Sequence, residues 1–176
     1  MPNLSGLKLS GLSNQKSIFA LIGIGSNIDP VDNLLRALDR LSEQVSIKQL
    51  ASVWQTPAVG SEGPDYLNSA VLIECILSLD HLKTRFLSRI EHDLGRLRLD
   101  NKNADRTIDL DLLIYDGTFL DDDLWTQAHV SVPAAEIFPD FVNPQSGETL
   151  KQAALRLIPG ENFFKRTDLS WEAGKK

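Results

Sequence analysis

Two aspartates one residue apart, Asp109 and Asp111, interrupt an otherwise apolar stretch that reads IDLDLL. Residues two apart in a strand point to the same face, so these carboxylates would lie side by side while Ile108, Leu110 and Leu112 pack on the other face. Like charges that close repel unless they are protonated or bound by a cation, and a pair of hard oxygen ligands suits Mg²⁺. The pair is a candidate magnesium site; the alternative is two hydrated aspartates on an exposed face or edge strand.

Three arginines stand near this pair in the sequence. Arg106 comes just before it, Arg96 and Arg98 end the preceding helical pattern, and Glu91 lies about one turn earlier. Guanidinium groups bind phosphate oxygens through paired hydrogen bonds, so arginines beside metal ligands are typical of a site for a polyphosphate with bound metal. Arginines that only form ion pairs with the aspartates are the structural alternative.

Composition and charge narrow the range of partners. The chain has 176 residues, 42% hydrophobic and 24% charged, which is typical of one globular domain. A net charge of −6 offers no general basic surface for nucleic acid or an anionic membrane, and no apolar run approaches the roughly 20 residues of a membrane span. The single cysteine, Cys75, cannot form an internal disulfide and is typical of a packed thiol in a reducing compartment. We therefore expect a cytoplasmic monomer that binds neither nucleic acid nor membrane.

The first half of the chain predicts a buried strand, an amphipathic helix and a pair of strands. Residues 17–27 form an apolar run that ends in Gly-Ser-Asn, where we expect Gly25 to shape a tight exit from the strand. The helix begins near Pro30 and has leucines at helical spacing. Residues 45–56 and 66–77 then predict antiparallel neighbours, joined by a loop long enough to be functional.

The second half predicts a helix that Asp80 caps and Gly95 ends, followed by the strand with the aspartate pair. The stretch TFLDDDLWTQAHVSV is consistent with two short strands, AAEIFPDF with a helical turn and GETLKQAALRLI with a final helix. Strands and helices in this order favour an α+β fold, a sheet covered by helices. Neither GxxxxGK[ST] nor GxGxxG is present.

Several of these stretches, in order, resemble one enzyme family. ALIGIGSNIDPVDNLLRALDRL, SVWQTPAVG with YLNSAVLIE, RIEHDLGRLR and RTIDLDLLIYDG are similar to the successive signatures of 6-hydroxymethyl-7,8-dihydropterin pyrophosphokinases, and VSVPAAEIFPDFVNPQSGETL resembles the segment before that family's last helix. The match covers most of residues 18–157. It implies a ferredoxin-like α+β sandwich, a mainly antiparallel sheet with helices packed on its faces. We expect a flexible N-terminal arm over 1–17, a single domain over 18–158 and a C-terminal tail over 159–176.

The resemblance also implies an activity in folate biosynthesis. The pyrophosphoryl group of ATP would be transferred to the hydroxymethyl group of 6-hydroxymethyl-7,8-dihydropterin, with release of AMP. Two Mg²⁺ ions would bind Asp109 and Asp111. By their place in the family pattern, the catalytic arginines are Arg96 and Arg106; the nucleotide contacts are Glu91, Arg98 and Leu112; and the pterin contacts are Thr56, Pro57, Val59, Tyr66, Asn68 and His129.

Two departures from the family pattern leave alternatives open. Asn103, Ala104 and Asp105 stand where the family writes Trp-Gly-Pro, which removes an indole and puts a negative charge beside the expected phosphate path. The stretch LDDDLWTQAHVSVP lacks the Pro-His-Pro-like segment of the family and has Gln127 where an arginine is expected. It also carries three acidic residues over 121–123, which would repel a triphosphate unless they face solvent. The alternatives are a weakened or non-catalytic relative that binds pterin, nucleotide or a protein partner, and an enzyme of the same scaffold with a different alcohol acceptor.

Overall fold

One antiparallel sheet dominates the fold. The computed structural model describes residues 16–58, 63–96, 105–158, 160 and 162–169. The strands of these residues are β1 (Ile18–Ser26), β2 (Ser46–Leu50), β3 (Trp54–Thr56), β4 (Tyr66–Cys75), β5 (Asp109–Tyr115), β6 (Thr118–Phe119) and β7 (Phe164–Lys165). They lie in the order β6, β5, β1, β4, β3, β7, and β2 pairs with β4 beside β3. Each of these pairings is antiparallel.

β1 is the central strand, because it pairs with β4 along one side and with β5 along the other. Its side chains alternate between two apolar clusters: Ala20, Ile22 and Ile24 pack in the first, and Leu21 packs in the second. This period of two is the side-chain pattern of a strand that is buried on both faces. The sheet therefore has an apolar layer on each side.

Helices cover both layers. α1 (Pro30–Ser42), a π-helix (His81–Leu87) and α2 (Ser88–Asp93) pack in the first cluster, and α3 (Asp123–Thr126), α4 (Ala128–Ile137) and α5 (Leu150–Leu157) pack in the second. We call the side of the second cluster the α4 face. The prediction of an α+β fold, with a mainly antiparallel sheet and helices on its faces, is confirmed. Within the described part of the chain, no helix combines the length and the apolar composition that crossing a bilayer requires.

The end of α2 holds an arginine beside the sheet. Gly95 ends the helix, as predicted, with a φ of 81°. The amides of Gly95 and Arg96 donate to the carbonyls of His92 and Glu91, each at 3.0 Å. Such a pair of bonds around a left-handed residue is a Schellman motif, in which a residue without a Cβ avoids strain. The motif fixes where the backbone of Arg96 leaves the helix.

One expectation for local structure holds only in position, and another is wrong. Asp80 stands at the N-cap of the π-helix but makes no side-chain capping bond, and its Oδ1 accepts a hydrogen bond from the hydroxyl of Thr84 at 3.2 Å. In TFLDDDLWTQAHVSV only Thr118–Phe119 is a strand, and the second half of this stretch is mostly helical. Leu124 and Trp125 are buried in the second cluster, and the alternating AHVSV forms the start of α4, which packs on α5 and β4. Tertiary packing outweighs the local alternation there.

Part of the expected C-terminal tail belongs to the sheet. β7 pairs with β3, and the amide of Arg166 donates to the carbonyl of Val53 at 2.8 Å. The guanidinium of Arg166 also donates to Gln55 at 2.9 Å and pairs with Asp168 at 2.7 Å. These bonds hold residues 164–168 along the edge of β3.

Candidate active site

A cavity of about 280 Å³ opens on the α4 face of the sheet. Its floor is formed by β1, β4 and β5, and its walls come from the start of the loop after β3 and from the segment between β6 and α4. The following predicted site residues line it: Thr56, Pro57, Tyr66, Asn68, Arg106, Asp109, Asp111 and His129. One concave site thus brings together residues from both the predicted pterin set and the predicted phosphate and metal set.

Two glycines of β1 make the floor of the cavity flat. Gly25 pairs with Asn68 of β4 and with Asp109 of β5, while Gly23 pairs with Asp111. Residues directly opposite in neighbouring strands point to the same face of a sheet, so the glycines lie between the amide and the carboxylates. Gly25 lies inside β1 and is absent from the described positions with positive φ, so the expected role as a tight strand exit is wrong. Its contribution is the missing side chain.

Asp109 is buried and lies between two arginines. Nη1 of Arg106 donates to Oδ2 of Asp109, and Nη1 of Arg96 lies 2.5 Å from Oδ1. Arg96 also pairs with the buried Glu91, whose Oε1 accepts from the amide of Leu110 at 2.9 Å. These contacts tie the end of α2 to the start of β5. Arg106 lines the cavity, whereas Arg96 is not among the lining residues and reaches the site through its contact with Asp109.

Asp111 lies in an electrostatic setting different from that of Asp109. Its side chain is open to solvent but recessed in the cavity, and the resulting loss of hydration is the main cause that raises its pKa. The negative charge of Asp121 raises that pKa further, while Arg96 and Arg106 lower it. A raised pKa means that the carboxylate form is disfavoured as the site stands, and a bound cation would stabilise it.

The donor set of the cavity fits a divalent cation that keeps part of its coordination for a ligand. Asp109 and Asp111 supply oxygen ligands, and Asp121 and Asp123 line the same cavity. The described residues contain no group of three or more His, Cys, Asp or Glu side chains arranged as a complete metal site. Mg²⁺ is typically held by one or two carboxylates together with phosphate oxygens and water, so two aspartates are sufficient. The acids of 121–123 were expected to face solvent if phosphate binds, yet Asp121 and Asp123 add negative charge to the cavity.

The opposite end of the cavity is suited to a flat heterocycle. Nδ2 of the buried Asn68 donates to the hydroxyl of Thr56 at 2.9 Å, which fixes the orientation of the amide. Tyr66 lies beside it at the start of β4, and burial is the main cause that raises its pKa. Across the cavity, burial is also the main cause that lowers the pKa of His129, so its imidazole is uncharged at neutral pH. A phenol, an amide and a neutral imidazole can stack on and hydrogen-bond to a heterocycle.

Some predicted site residues lie elsewhere. Leu112 is buried in the first cluster, on the face of β5 opposite Asp111, so its side chain does not line the cavity; its contact with nucleotide stays a prediction. Glu91 does not line the cavity and acts on it only through Arg96 and the backbone of β5. Val59 and Arg98 lie outside the described residues.

Several residues that line the cavity or support it had no predicted site role. Gly23 and Gly25 form the floor, and Gln127 lines a wall. Asn27 is buried just after β1, and it bonds to the segments that precede Tyr66 and Arg106. The signal for the floor was present in the sequence, because glycines at alternate positions of an otherwise apolar strand leave one face of it bare.

Comparison with known proteins finds similar sequences in one enzyme family. The family model described as 7,8-dihydro-6-hydroxymethylpterin-pyrophosphokinase matches residues 21–139. A Synechocystis sp. protein named 2-amino-4-hydroxy-6-hydroxymethyldihydropteridine pyrophosphokinase is 38% identical over 144 residues, covering 76% of this chain and 73% of the relative. Proteins with the same name from Methylorubrum extorquens and Haemophilus influenzae are 36% and 35% identical over 152 residues, covering 80% and 78% of this chain and 94% of each relative.

Proposed function

The chain belongs to the 7,8-dihydro-6-hydroxymethylpterin-pyrophosphokinase family. We propose on that premise that it transfers the pyrophosphoryl group of ATP to 6-hydroxymethyl-7,8-dihydropterin and that the reaction takes place in the cavity. The hydroxymethyl oxygen forms a bond to the β-phosphorus, the bond between that phosphorus and the bridging oxygen of AMP breaks, and the hydroxyl proton is released. The products are the pterin pyrophosphate and AMP, which places the reaction in folate synthesis.

A single observation carries the assignment of residues: the row of paired positions Asn68, Gly25 and Asp109 across β4, β1 and β5. The row joins the heterocycle end of the cavity to the carboxylate end over a floor without side chains. A substrate that binds at Asn68 can therefore extend a substituent towards Asp109 without obstruction. That arrangement suits transfer to a hydroxymethyl group on a flat ring.

The carboxylate end holds the metal in this proposal. Asp109 and Asp111 would hold two Mg²⁺ ions. When bound, Mg²⁺ neutralises phosphate charge and polarises the reacting oxygens. Arg96 and Arg106 already contact Asp109, so their guanidinium groups lie where the phosphates must bind and can donate to phosphate oxygens. Glu91 orients Arg96 through their ion pair.

The other end holds the pterin. Asn68 pairs with the donor and acceptor edge of the ring, while Thr56 fixes the amide that does so. Tyr66 and His129 provide ring faces on two sides of the cavity, and Pro57 closes it near β3. Arg98 and Val59 remain predictions for the nucleotide and the pterin.

The reaction fits a cytoplasmic location, because it consumes ATP and because Cys75 is a buried thiol, as expected in a reducing compartment. We place the catalytic domain over residues 18–158. The pairing of β7 with β3 adds residues 164–165 to its sheet.

The test is release of AMP from ATP and Mg²⁺ by the purified chain, with and without 6-hydroxymethyl-7,8-dihydropterin. Pterin-dependent AMP is the expected result. Pterin binding by calorimetry without AMP release would overturn the proposal and support a non-catalytic relative or a different acceptor. AMP release with another alcohol alone would identify the same scaffold acting on that acceptor.

A further inference from the structure

The side chain of Asn27 joins three segments that surround the cavity. Its Nδ2 donates to Oδ1 of Asp105 at 2.7 Å and to the carbonyl of Pro64 at 3.3 Å, and its Oδ1 accepts from the amide of Arg106 at 2.7 Å. An asparagine amide has two donor hydrogens and one acceptor oxygen, and each of these groups is used here. Asn27 is 4% exposed, so these bonds are shielded from competing water.

The backbone reinforces the same junction. The amides of Asn27 and Ile28 both donate to the carbonyl of Arg106, at 3.1 and 3.4 Å, and the hydroxyl of Ser26 donates to the carbonyl of Thr107 at 2.6 Å. The segment that contains Arg106 is therefore attached to the end of β1 before it enters β5. The guanidinium of Arg106 pairs with Asp109, so the position of this segment sets the position of a phosphate-binding group.

The Pro64 contact reaches the pterin end of the cavity. Pro64 comes two residues before Tyr66, at the point where the loop after β3 becomes β4. Tyr66 and Arg106 line the same cavity. Burial is the main cause that raises the pKa of the Tyr66 phenol, and the charges of Arg106 and Asp105 also act on it, Arg106 lowering and Asp105 raising its pKa. Asn27 is thus a direct link between the segment next to the pterin and the segment next to the phosphates.

We propose that Asn27 and Asp105 form a clamp that positions Arg106 for the triphosphate and couples the binding of pterin to the binding of nucleotide. The inference rests on the proposed function. Asp105 is a positioning residue, since its carboxylate is held by Asn27 and acts through the Arg106 backbone. Movement of either segment on binding one substrate is transmitted through the Asn27 amide to the other.

The direction in which Asp105→Ala changes nucleotide affinity distinguishes the clamp from simple electrostatics. Asp105 is an exposed carboxylate near the phosphate path. On Coulombic grounds alone, Asp105→Ala removes a repulsion and should tighten the binding of ATP. The clamp predicts the opposite: without the acceptor for Nδ2 of Asn27, the Arg106 segment loses its fixed position and nucleotide binding weakens on the order of 10-fold, the effect of one lost hydrogen bond.

The experiment is calorimetric titration of α,β-methylene-ATP and Mg²⁺ into the full chain, with and without saturating 6-hydroxymethyl-7,8-dihydropterin. Asp105→Ala should weaken nucleotide binding and reduce the gain in affinity that pterin produces. Asp105→Asn keeps an Oδ1 that can accept from Asn27, so it should stay within about 3-fold of the parent chain. Asp39→Ala, an exposed carboxylate on α1 across the sheet, controls for the loss of one negative charge and should behave like the parent.

The outcomes separate the two proposals. If the parent chain binds both ligands but Asp105→Ala binds nucleotide as tightly or more tightly, the clamp is wrong while the proposed function stands. Equal losses in Asp105→Ala and Asp105→Asn would show that the bond accepted from Asn27 does not set nucleotide affinity, and would also overturn the clamp. If the parent chain binds neither ligand, the proposed function fails and the clamp fails with it.

Discussion

A Cβ atom placed on Gly25 would lie 2.7 Å from Oδ1 of Asn68. That distance is shorter than Cβ contacts in folded proteins, so any side chain at this position must displace the amide or shift β1. The amide cannot move freely, because its Nδ2 is bound to Thr56 inside the buried floor. The bare floor of the cavity and the orientation of the pterin-facing amide therefore depend on the same glycine.

Gly25→Ala should weaken binding of 6-hydroxymethyl-7,8-dihydropterin by about 1–3 kcal/mol, the usual cost of overpacking a tight site. Calorimetry with the pterin alone measures the effect. Gly23→Ala is the matched control: its Cβ would lie 3.2 Å from Cδ1 of Leu113, the flexible end of a side chain that can yield. Equal affinities for Gly25→Ala and the parent chain would show that the pterin does not bind over Gly25.

Asp111→Asn should abolish the Mg²⁺ dependence of nucleotide binding and leave the fold intact. The side chain is exposed, so little packing is lost, while the charged oxygen ligand is removed. Titration of α,β-methylene-ATP with and without Mg²⁺, together with thermal unfolding of the apo chain, checks both parts. Asp32→Asn on α1 serves as a charge control away from the cavity. Unchanged Mg²⁺-dependent binding would remove Asp111 from the metal site.

The sequence was sufficient to predict the aspartate pair, the central strand and the helix that ends at Gly95. Each of these rests on a local signal, namely alternation, helical spacing or a residue suited to a left-handed turn. The same alternation predicts that Leu112 points away from Asp111 and packs in the core, as it does in the structure. Only the family pattern implies that Leu112 contacts nucleotide.

Contacts between segments that are distant in sequence could not be predicted from local sequence patterns. Asp105 was expected to disturb the phosphate path, but Asn27 holds its carboxylate across 78 positions of sequence. Residues 118–132 are predicted to hold two short strands, yet this stretch contains α3 and the start of α4, because the alternation of AHVSV carries no information about α5, against which it packs. Tertiary packing decides such short apolar stretches.

The stability of the chain should fall as the pH drops through the range in which unfolded histidine takes up a proton. Burial lowers the pKa of His129 below its usual value of 6.5, so the unfolded chain binds that proton first. The free energy of unfolding then decreases as pH falls from about 6.5 and stops decreasing below the folded pKa. Urea unfolding of the parent chain and of His129→Gln between pH 5 and 8 measures this. The free energies of unfolding of the parent chain and of His129→Gln should differ by a constant amount above about pH 7.5, and at lower pH the variant should become more stable relative to the parent. A difference in unfolding free energy that is independent of pH would contradict the prediction.

Glu91→Gln should destabilise the chain by about 1–3 kcal/mol and lower the rate of pterin-dependent AMP release. The buried carboxylate accepts from the amide of Leu110 and pairs with Arg96, and glutamine keeps its size while removing the charge that binds the guanidinium. Without that charge, Arg96 is no longer held beside Asp109, so activity should fall beyond what the loss of stability explains. Urea unfolding and AMP release at saturating ATP separate the two effects.

Glu148→Gln provides the comparison for Glu91→Gln. Glu148 also pairs with an arginine, Arg156, at 2.8 Å, but that pair lies at the surface and far from the aspartates in sequence. Water screens an exposed pair, so its loss should cost less stability than the loss of the buried one and should leave AMP release unchanged. If both variants lose the same stability and keep full activity, burial does not set the strength of the Glu91–Arg96 pair, and Arg96 does not depend on Glu91 for its position.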